Sequence, residues 1–400
     1  MNRLRRLSLA RLTAFIAAAL VVLGAGAAIA MAAFSSDGPK PPAKPLAQAL
    51  LDGVSAPDVA GVSARITFTN KLIDSSSLQG TNPILTGAKG RLWAAADGKV
   101  RLELQSSSGQ DAQLVTDGTT AWVYDAGANT VYRMKLKPDA GEQAEADKGP
   151  PTLAKIEQKL AEIARDADLS RAIPGNVAGQ PAYTVELSPK HDAGLLGGAR
   201  VAWDAARGVP LRAAVYADGR EDPVLELTAT DITYGAVPAS VFDVTYPKDA
   251  KVVTVEAPSK DKAGTAGRDN PVTGVAAVQA KLGFELAAPT TLVGLPRGDV
   301  RLVEADGKRG AIVTYGKDLG GIAVLQAPAE AKPAATGNGS SDANGEDGLT
   351  LPKISIDGAT GQELATALGT VLTFERGGIS YTVIGSVPPA AAEAAARDLR

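Results

Sequence analysis

The segment from Gly90 to Tyr132 constrains the fold more than any other part of the chain. Its apolar and polar residues alternate, and Asp97-Gly98, Asp117-Gly118 and Gly127-Ala128-Asn129 interrupt the alternation at hairpin spacing. Alternation indicates strands with one buried face, and Asp-Gly pairs favour tight turns between antiparallel strands. We therefore expect the chain to fold back repeatedly into an open antiparallel sheet, one face of which must be covered.

Composition excludes several classes of function. The 400 residues carry a formal net charge of -3, which provides no basic field for nucleic acid. The chain has no cysteine and a single histidine, His191, so thiolate sites, disulfides and multi-histidine metal sites cannot form. No Walker or Rossmann glycine pattern is present. We expect a protein that is not an enzyme, with no catalytic residues, no metal site and no cofactor.

Residues 1–34 form a separate N-terminal unit. Four arginines, at positions 3, 5, 6 and 11, precede the uncharged stretch Leu12–Phe34, which is long enough as a helix to cross a hydrocarbon core of about 30 Å. It is either a transmembrane anchor or a cleaved signal peptide. The length favours the anchor, whereas the small residues Ala28-Ile29-Ala30 favour cleavage. We expect the bulk of the chain outside the cytoplasmic membrane, tethered to it by the anchor, or periplasmic or secreted after cleavage.

The remainder divides by composition. A proline-rich spacer over 35–45 leads to a first domain over 46–255, followed by a linker over 256–271. A smaller α+β domain covers 272–400, and its polar insertion at 329–348 is predicted to be disordered.

Helical spacing of apolar residues in the first domain predicts a short helix over Leu46–Val54 and a longer one over Pro151–Leu169. Strand patterns are predicted at 61–73, 181–189, 199–204, 209–219 and 222–235. In the second domain we predict short helices near Val275 and over 361–369, a terminal helix over 388–399, and strands between them.

Seven segments of the first domain follow one another in a distinctive order: Leu114–Gly118, Trp122–Asp125, Val131–Arg133, Tyr183–Pro189, Val201–Asp204, Gly208–Arg212 and Phe242–Pro247. Through these segments the order of elements over 46–250 resembles the LolA and RseB superfamily of periplasmic proteins and the LolA-like lipoproteins of actinobacteria. The hairpin Gly377–Tyr381 is similar to a small module of sporulation and anti-sigma-linked extracytoplasmic proteins. The cysteine that lipid-anchors the actinobacterial relatives is absent here.

This resemblance implies an α+β fold in which helices cover a strongly curved antiparallel sheet, an incomplete β-barrel or half-barrel, with an apolar cavity between them. Pleating predicts the sheet wall of that cavity, and helical spacing predicts the residues that face it from the two helices. The predicted ligand-binding residues are Trp93, Trp122, Tyr124, Trp203, Val201 and Leu211 on the sheet, and Leu50, Ile156, Leu160 and Ile163 on the helices.

Two functions follow from this arrangement. The first is an extracytoplasmic lipid-binding or lipoprotein-binding carrier that holds acyl chains, because each buried methylene contributes about 0.8 kcal/mol and needs no directional partner. The second is an RseB-like regulator that senses an envelope signal and binds an anti-sigma factor or another envelope protein. The predicted partners are thus a lipid or acylated lipoprotein, an envelope protein, and the membrane through the N-terminal helix.

Overall fold

The structure is a computed structural model. It describes residues 38–73, 83–105, 111–136, 152–191, 194–255, 272–305, 308–317, 320–329 and 351–399. The predicted N-terminal segment 1–34, the linker 256–271 and the insertion beyond Ala329 lie outside these residues. Within the described ranges, no helix is long and apolar enough to span a membrane.

The chain divides into two compact units. The first takes in the chain up to residue 257 apart from 192–196, and the second takes in 192–196 and 258–400. Most of both units is sheet, with few helices.

A sheet of thirteen strands builds the first unit. Its strands are β1 (Gly61–Asn70), β2 (Ala88–Ala95), β3 (Val100–Gln105), β4 (Ala112–Thr116), β5 (Thr120–Asp125), β6 (Thr130–Lys135), β7 (Ala167–Leu169), β8 (Ile173–Val177), β9 (Gln180–Pro189), β10 (Leu196–Asp204), β11 (Pro210–Ala217), β12 (Pro223–Tyr234) and β13 (Lys251–Val255). They follow the order β13-β6-β5-β4-β3-β2-β1-β12-β11-β10-β9-β7, and β8 also pairs with β9. The predicted hairpins are confirmed, with Gly98 (φ 91°) and Gly118 (φ 88°) in the left-handed region at their turns.

The helices of the first unit are α1 (Leu46–Val54), the single turn α2 (Pro83–Thr86) and α3 (Leu153–Ile163), with a 3₁₀ turn at Ala239–Phe242. The prediction of α1 is confirmed. The prediction that α3 continues to Leu169 is wrong, because Ala167–Leu169 form β7 and pair with Leu187–Pro189 of β9. Thr152 caps α3, its hydroxyl accepting a hydrogen bond from the Lys155 backbone N–H.

The second unit contains an eight-stranded curled sheet. Its strands are β14 (Thr291–Leu292), β15 (Leu295–Ala305), β16 (Lys308–Tyr315), β17 (Ile322–Pro328), β18 (Lys353–Ile356), β19 (Ala359–Thr366), β20 (Gly369–Arg376) and β21 (Ile379–Gly385), in the order β14-β15-β16-β17-β21-β20-β19-β18. The prediction of a helix over 361–369 is wrong. Those residues belong to β19 and its turn, and β19 forms ladders with both β18 and β20.

The described residues of the second unit include two helices, α4 (Val275–Gln279) and α5 (Pro389–Asp398), as predicted. The alanines 392, 395 and 396 of α5 are fully buried and pack with sheet residues such as Leu372 and Val383. Small side chains let the helix approach the sheet closely. Helices therefore cover one face of the sheet in the second unit, and the other face does not contribute to this apolar core.

Candidate functional site

Helix α1 packs on the first sheet through its apolar side. Ala49 is buried against Tyr183 and Val185 of β9 and Val201 and Trp203 of β10, and the half-buried Leu46 and Leu50 complete this cluster. Val185 lies directly opposite Val201, and Tyr183 opposite Trp203, so all four side chains share one face. The structure therefore brings together three of the predicted site residues, Leu50, Val201 and Trp203.

Helix α3 packs on α1. Val54 and Ile156 are buried against each other, and Leu50 and Leu160 are half-buried beside them. Ile163 is half-buried as well, but it does not join the described apolar clusters. The helix pair predicted from the sequence is therefore present, with Leu50 shared between the sheet contact and the helix contact.

Leu211 belongs to a different apolar cluster from Val201. Leu211 packs in the cluster of Ala182, whereas Val201 packs in the cluster of Tyr183, and Ala182 and Tyr183 are neighbours in β9 that point to opposite faces. Arg212 is the neighbour of Leu211 in β11 and points to the face opposite it. We call the face with Leu211 the Leu211 face, and the opposite face, with Arg212, the charged face.

A row of apolar side chains crosses the Leu211 face. Each member is the direct cross-strand partner of the next, over seven consecutive strands from β12 to β6. The members of the row are Ile232, Ala64, Leu92, Leu102, Leu114, Val123 and Tyr132. Leu211 joins this face through Ala213, two residues on, which pairs with Leu227 in the same cluster as Ala64 and Ile232.

Exposure increases along the row. Ile232 and Ala64 are buried at 6% and 9%, the next four members are half-buried, and Tyr132 is 40% exposed. With strands about 4.8 Å apart, six spacings make the row roughly 29 Å long. The row was not predicted from the sequence. Apolar residues two positions apart in each of β2 to β5 were the signal that could have indicated it.

The remaining predicted wall residues lie on the charged face. Trp93 is adjacent to Leu92, and Trp122 and Tyr124 flank Val123, so the register directs all three away from the row. Trp93 pairs with Arg101, and Trp122 with Val115 and Arg133. The register therefore separates Trp93, Trp122 and Tyr124 from the row and from Leu211. All three are half-buried.

The first sheet also holds a buried polar network that the sequence did not reveal. Arg200 (4% exposed) donates from Nε to Glu186 (7% exposed) at 2.8 Å, and its guanidinium lies 4.7 Å above the Tyr216 ring. Arg212 pairs with Glu226 on the next strand. Opposite charges and hydrogen bonds here offset the cost of taking ions out of water.

Asp204 anchors the hairpin between β10 and β11. It is fully buried, and its carboxylate accepts hydrogen bonds from the backbone N–H groups of Ala206 and Arg207 (2.8 Å each) and from the Tyr234 hydroxyl (2.7 Å). Burial, followed by the Asp204 carboxylate, raises the pKa of Tyr234. The hydrogen bond from the Tyr234 hydroxyl to the Asp204 carboxylate fixes this corner of the sheet.

The part of the chain that the structure describes holds no group of three or more histidine, cysteine, aspartate or glutamate side chains suitable for a metal ion. His191 is exposed at the end of β9, and its neighbour Asp192 lies outside the described residues.

No family model matches the chain, and no curated protein matches its sequence. Solved structures similar to it include MucB in complex with MucA(peri), with 17% identity, a TM-score of 0.39 and coverage of 89% of this chain and 96% of that chain. The Pseudomonas aeruginosa MucA/MucB complex has 16% identity, a TM-score of 0.39 and coverage of 88% and 94%. The LolA superfamily protein NE2245 from Nitrosomonas europaea has 11% identity, a TM-score of 0.23 and coverage of 50% and 99%.

These structures include MucB, which is RseB-like, and a LolA superfamily protein. With TM-scores below 0.5, they do not indicate what the present chain binds.

Proposed function

We propose that the first unit binds an acyl chain along the apolar row of its Leu211 face, as an extracytoplasmic lipid-binding or lipoprotein-binding protein. The observation that supports this proposal is the half-burial of Leu92, Leu102, Leu114 and Val123 in one continuous row. Apolar surface left partly in water at this size is typical of a binding site.

The dimensions of the row suit a hydrocarbon chain. One leaflet of a bilayer core is about 15 Å thick, half of the roughly 30 Å hydrocarbon layer. The row, roughly 29 Å long, therefore has room for one acyl chain lying across three or four strands. Burying such a chain is favourable by about 0.8 kcal/mol per methylene, and it needs no polar partner.

Photocrosslinking tests this function on the full chain in membranes. A fatty acid with a diazirine on its acyl chain is bound and activated, and peptides are sequenced by mass spectrometry. We expect adducts on Leu102 and Leu114. Their neighbours Arg101 and Gln113 lie on the charged face of the same strands and serve as internal controls. Equal labelling of both sets, or none, would refute the proposal.

A second candidate function is that the second unit binds a protein partner, as expected of an RseB-like regulator. The observation that favours it is an exposed apolar patch on the face of the eight-stranded sheet that points away from its core. Ile384 (47% exposed) pairs with Ala323 and Val371, and Leu325 (36% exposed) pairs with Ile312. These side chains fit an anti-sigma factor or another envelope protein.

Copurification tests the second function. An envelope protein that is retained in stoichiometric amounts by the wild type should be lost from Leu325→Glu and Ile384→Glu. Thr360→Glu places the same charge on an exposed residue of β19 and is the control. Retention of the partner by all three variants would exclude the patch.

We also propose that Leu12–Phe34 is a retained membrane anchor with the described units outside the cytoplasm. Resistance of the full chain to carbonate extraction would support the anchor, and release into the soluble fraction would contradict it.

A further inference from the structure

Residues 38–45, part of the predicted proline-rich spacer, are attached to the first sheet. The Tyr183 hydroxyl donates a hydrogen bond to the Pro42 carbonyl oxygen at 2.6 Å, and Asn176 Nδ2 donates to the Pro39 carbonyl oxygen at 3.0 Å. Both donors belong to buried residues, at 1% and 6% exposure. We call residues 38–45 the strap.

Prolines make the strap suitable for this attachment. Positions 39, 41, 42 and 45 are proline, and proline fixes φ near −65° and favours an extended chain. An extended chain has no internal hydrogen bonds, so its carbonyl oxygens can accept from Asn176 and Tyr183. At its end the Lys44 ammonium pairs with Asp52 of α1 at 2.5 Å, and this hydrogen bond lowers the pKa of Asp52.

The strap attaches to one end of the sheet. Asn176 pairs with Pro181 near the turn between β8 and β9, and the Ala205 backbone N–H donates to the Pro181 carbonyl oxygen. The β8–β9 turn and the β10–β11 turn therefore lie at the same end, which we call the strap end. Glu221, in the turn between β11 and β12, lies at the other end, about 25 Å away along the eight residues of β11.

The chain between the strap and the proposed anchor is short. Pro39 follows Phe34 by five residues, and an extended chain covers at most about 3.5 Å per residue, so Pro39 lies within roughly 18 Å of Phe34. A longer free spacer would let the first unit tumble, whereas an attached strap fixes which end is closest to the bilayer.

We propose that the strap end of the first unit is a membrane-facing surface that lies against the lipid headgroups, while the end with Glu221 points away from them. The inference rests on the proposed anchor as well as on the strap contacts. It assigns a lipid surface as the partner of the strap end and makes the strap a device that orients the unit.

The absence of native cysteine allows single-site labelling of the full chain in liposomes. A donor dye is placed at Gln180→Cys, at the strap end, or at Glu221→Cys, and energy transfer to an acceptor on the lipid headgroups is measured. We expect at least twofold higher transfer efficiency from position 180 than from position 221. Equal efficiencies in protein that sediments with the liposomes would overturn the orientation alone.

The strap itself is tested by Tyr183→Phe combined with Asn176→Ala in the two labelled chains. Loss of both donors should bring the two efficiencies to within about 20% of each other. Tyr246→Phe removes an exposed hydroxyl and is the control that should keep the difference. A difference that persists in the double variant would show that the strap does not set the orientation. Failure of every chain to sediment with liposomes would overturn the anchor, and the orientation with it.

Discussion

Gly53, in the last turn of α1, lies directly against the indole of Trp203, so that a Cβ at position 53 would be 3.3 Å from Nε1. The same added Cβ would be 3.5 Å from the Gly208 Cα. Glycine at this position therefore lets the helix lie close to β10, and the contact connects the helix pair to the sheet that carries the apolar row.

Gly53→Val should destabilise the first unit by about 1–3 kcal/mol, because the added methyl groups push α1 away from Trp203. All three tryptophans of the chain, at positions 93, 122 and 203, belong to this unit, so tryptophan fluorescence in urea reports its unfolding. Gly235→Val is the control, since a Cβ there meets nothing within 4 Å. Equal stability of the two variants would contradict the close packing.

The buried pair of Arg200 and Glu186 predicts a large effect of removing one partner. Glu186→Ala leaves the Arg200 guanidinium buried without its carboxylate and should cost about 3–5 kcal/mol of unfolding free energy, again measured by tryptophan fluorescence. Glu157→Ala removes an exposed carboxylate from α3 and should change stability by less than about 0.5 kcal/mol. A loss below about 1 kcal/mol for Glu186→Ala would show that the pair contributes little.

Glu363 should make the second unit sensitive to pH. Burial, followed by the charge of Glu393, raises its pKa, and its Oε2 has no hydrogen-bond partner among the described residues. A raised pKa means that the stability contribution is complete below the unfolded pKa near 4.5 and is lost as pH rises through the folded pKa. Glu363→Gln should therefore raise the melting temperature of the second unit at pH 7 and leave it unchanged at pH 4, as measured by calorimetry. The same gain at both pH values would contradict this role of the charge.

The burial of Tyr315 predicts that the second unit loses stability at alkaline pH. Its hydroxyl is buried with no partner in the described chain, and burial raises its pKa from 10.0 to about 12. Stability from the neutral hydroxyl is complete below pH 10.0 and is lost as pH rises towards about 12. Calorimetry of Tyr315→Phe should show no such loss, and at pH 7 a gain of about 1 kcal/mol from removing an unsatisfied group. A steeper loss of stability at alkaline pH in Tyr315→Phe than in the wild type would contradict this prediction.

The hairpins could be predicted from the sequence because their signals are local. Asp-Gly pairs specify the turns at Gly98 and Gly118 regardless of what packs around them. The face to which each apolar residue points could not be predicted. Leu92 and Trp93 are adjacent and both apolar, as are Trp122 and Val123, so alternation does not tell which residue of each pair lies on which face. Only the cross-strand register separates them.

Nonlocal pairing also explains the two wrong helix predictions. Residues 167–169 and 361–366 have acceptable helix propensity, but each finds a strand with unpaired backbone groups, β9 in one case and β18 and β20 in the other. Such pairing overrides propensity differences of a few tenths of a kcal/mol per residue. The Arg200–Glu186 network has no local signal, because its members come from different strands.

The most direct test of acyl-chain binding compares substitutions at Leu114 and at two adjacent residues of β6. Tyr132 ends the apolar row and is 40% exposed, and Arg133 is exposed on the charged face, so substitution of either should leave the fold intact. The yield of diazirine fatty-acid adducts is measured for Tyr132→Asn, Arg133→Asn and Leu114→Asn. We predict a loss of about tenfold for Leu114→Asn and a smaller loss for Tyr132→Asn, with no change for Arg133→Asn. Unchanged labelling in Leu114→Asn and Tyr132→Asn, or an equal loss in Arg133→Asn, would contradict the binding of hydrocarbon along this row.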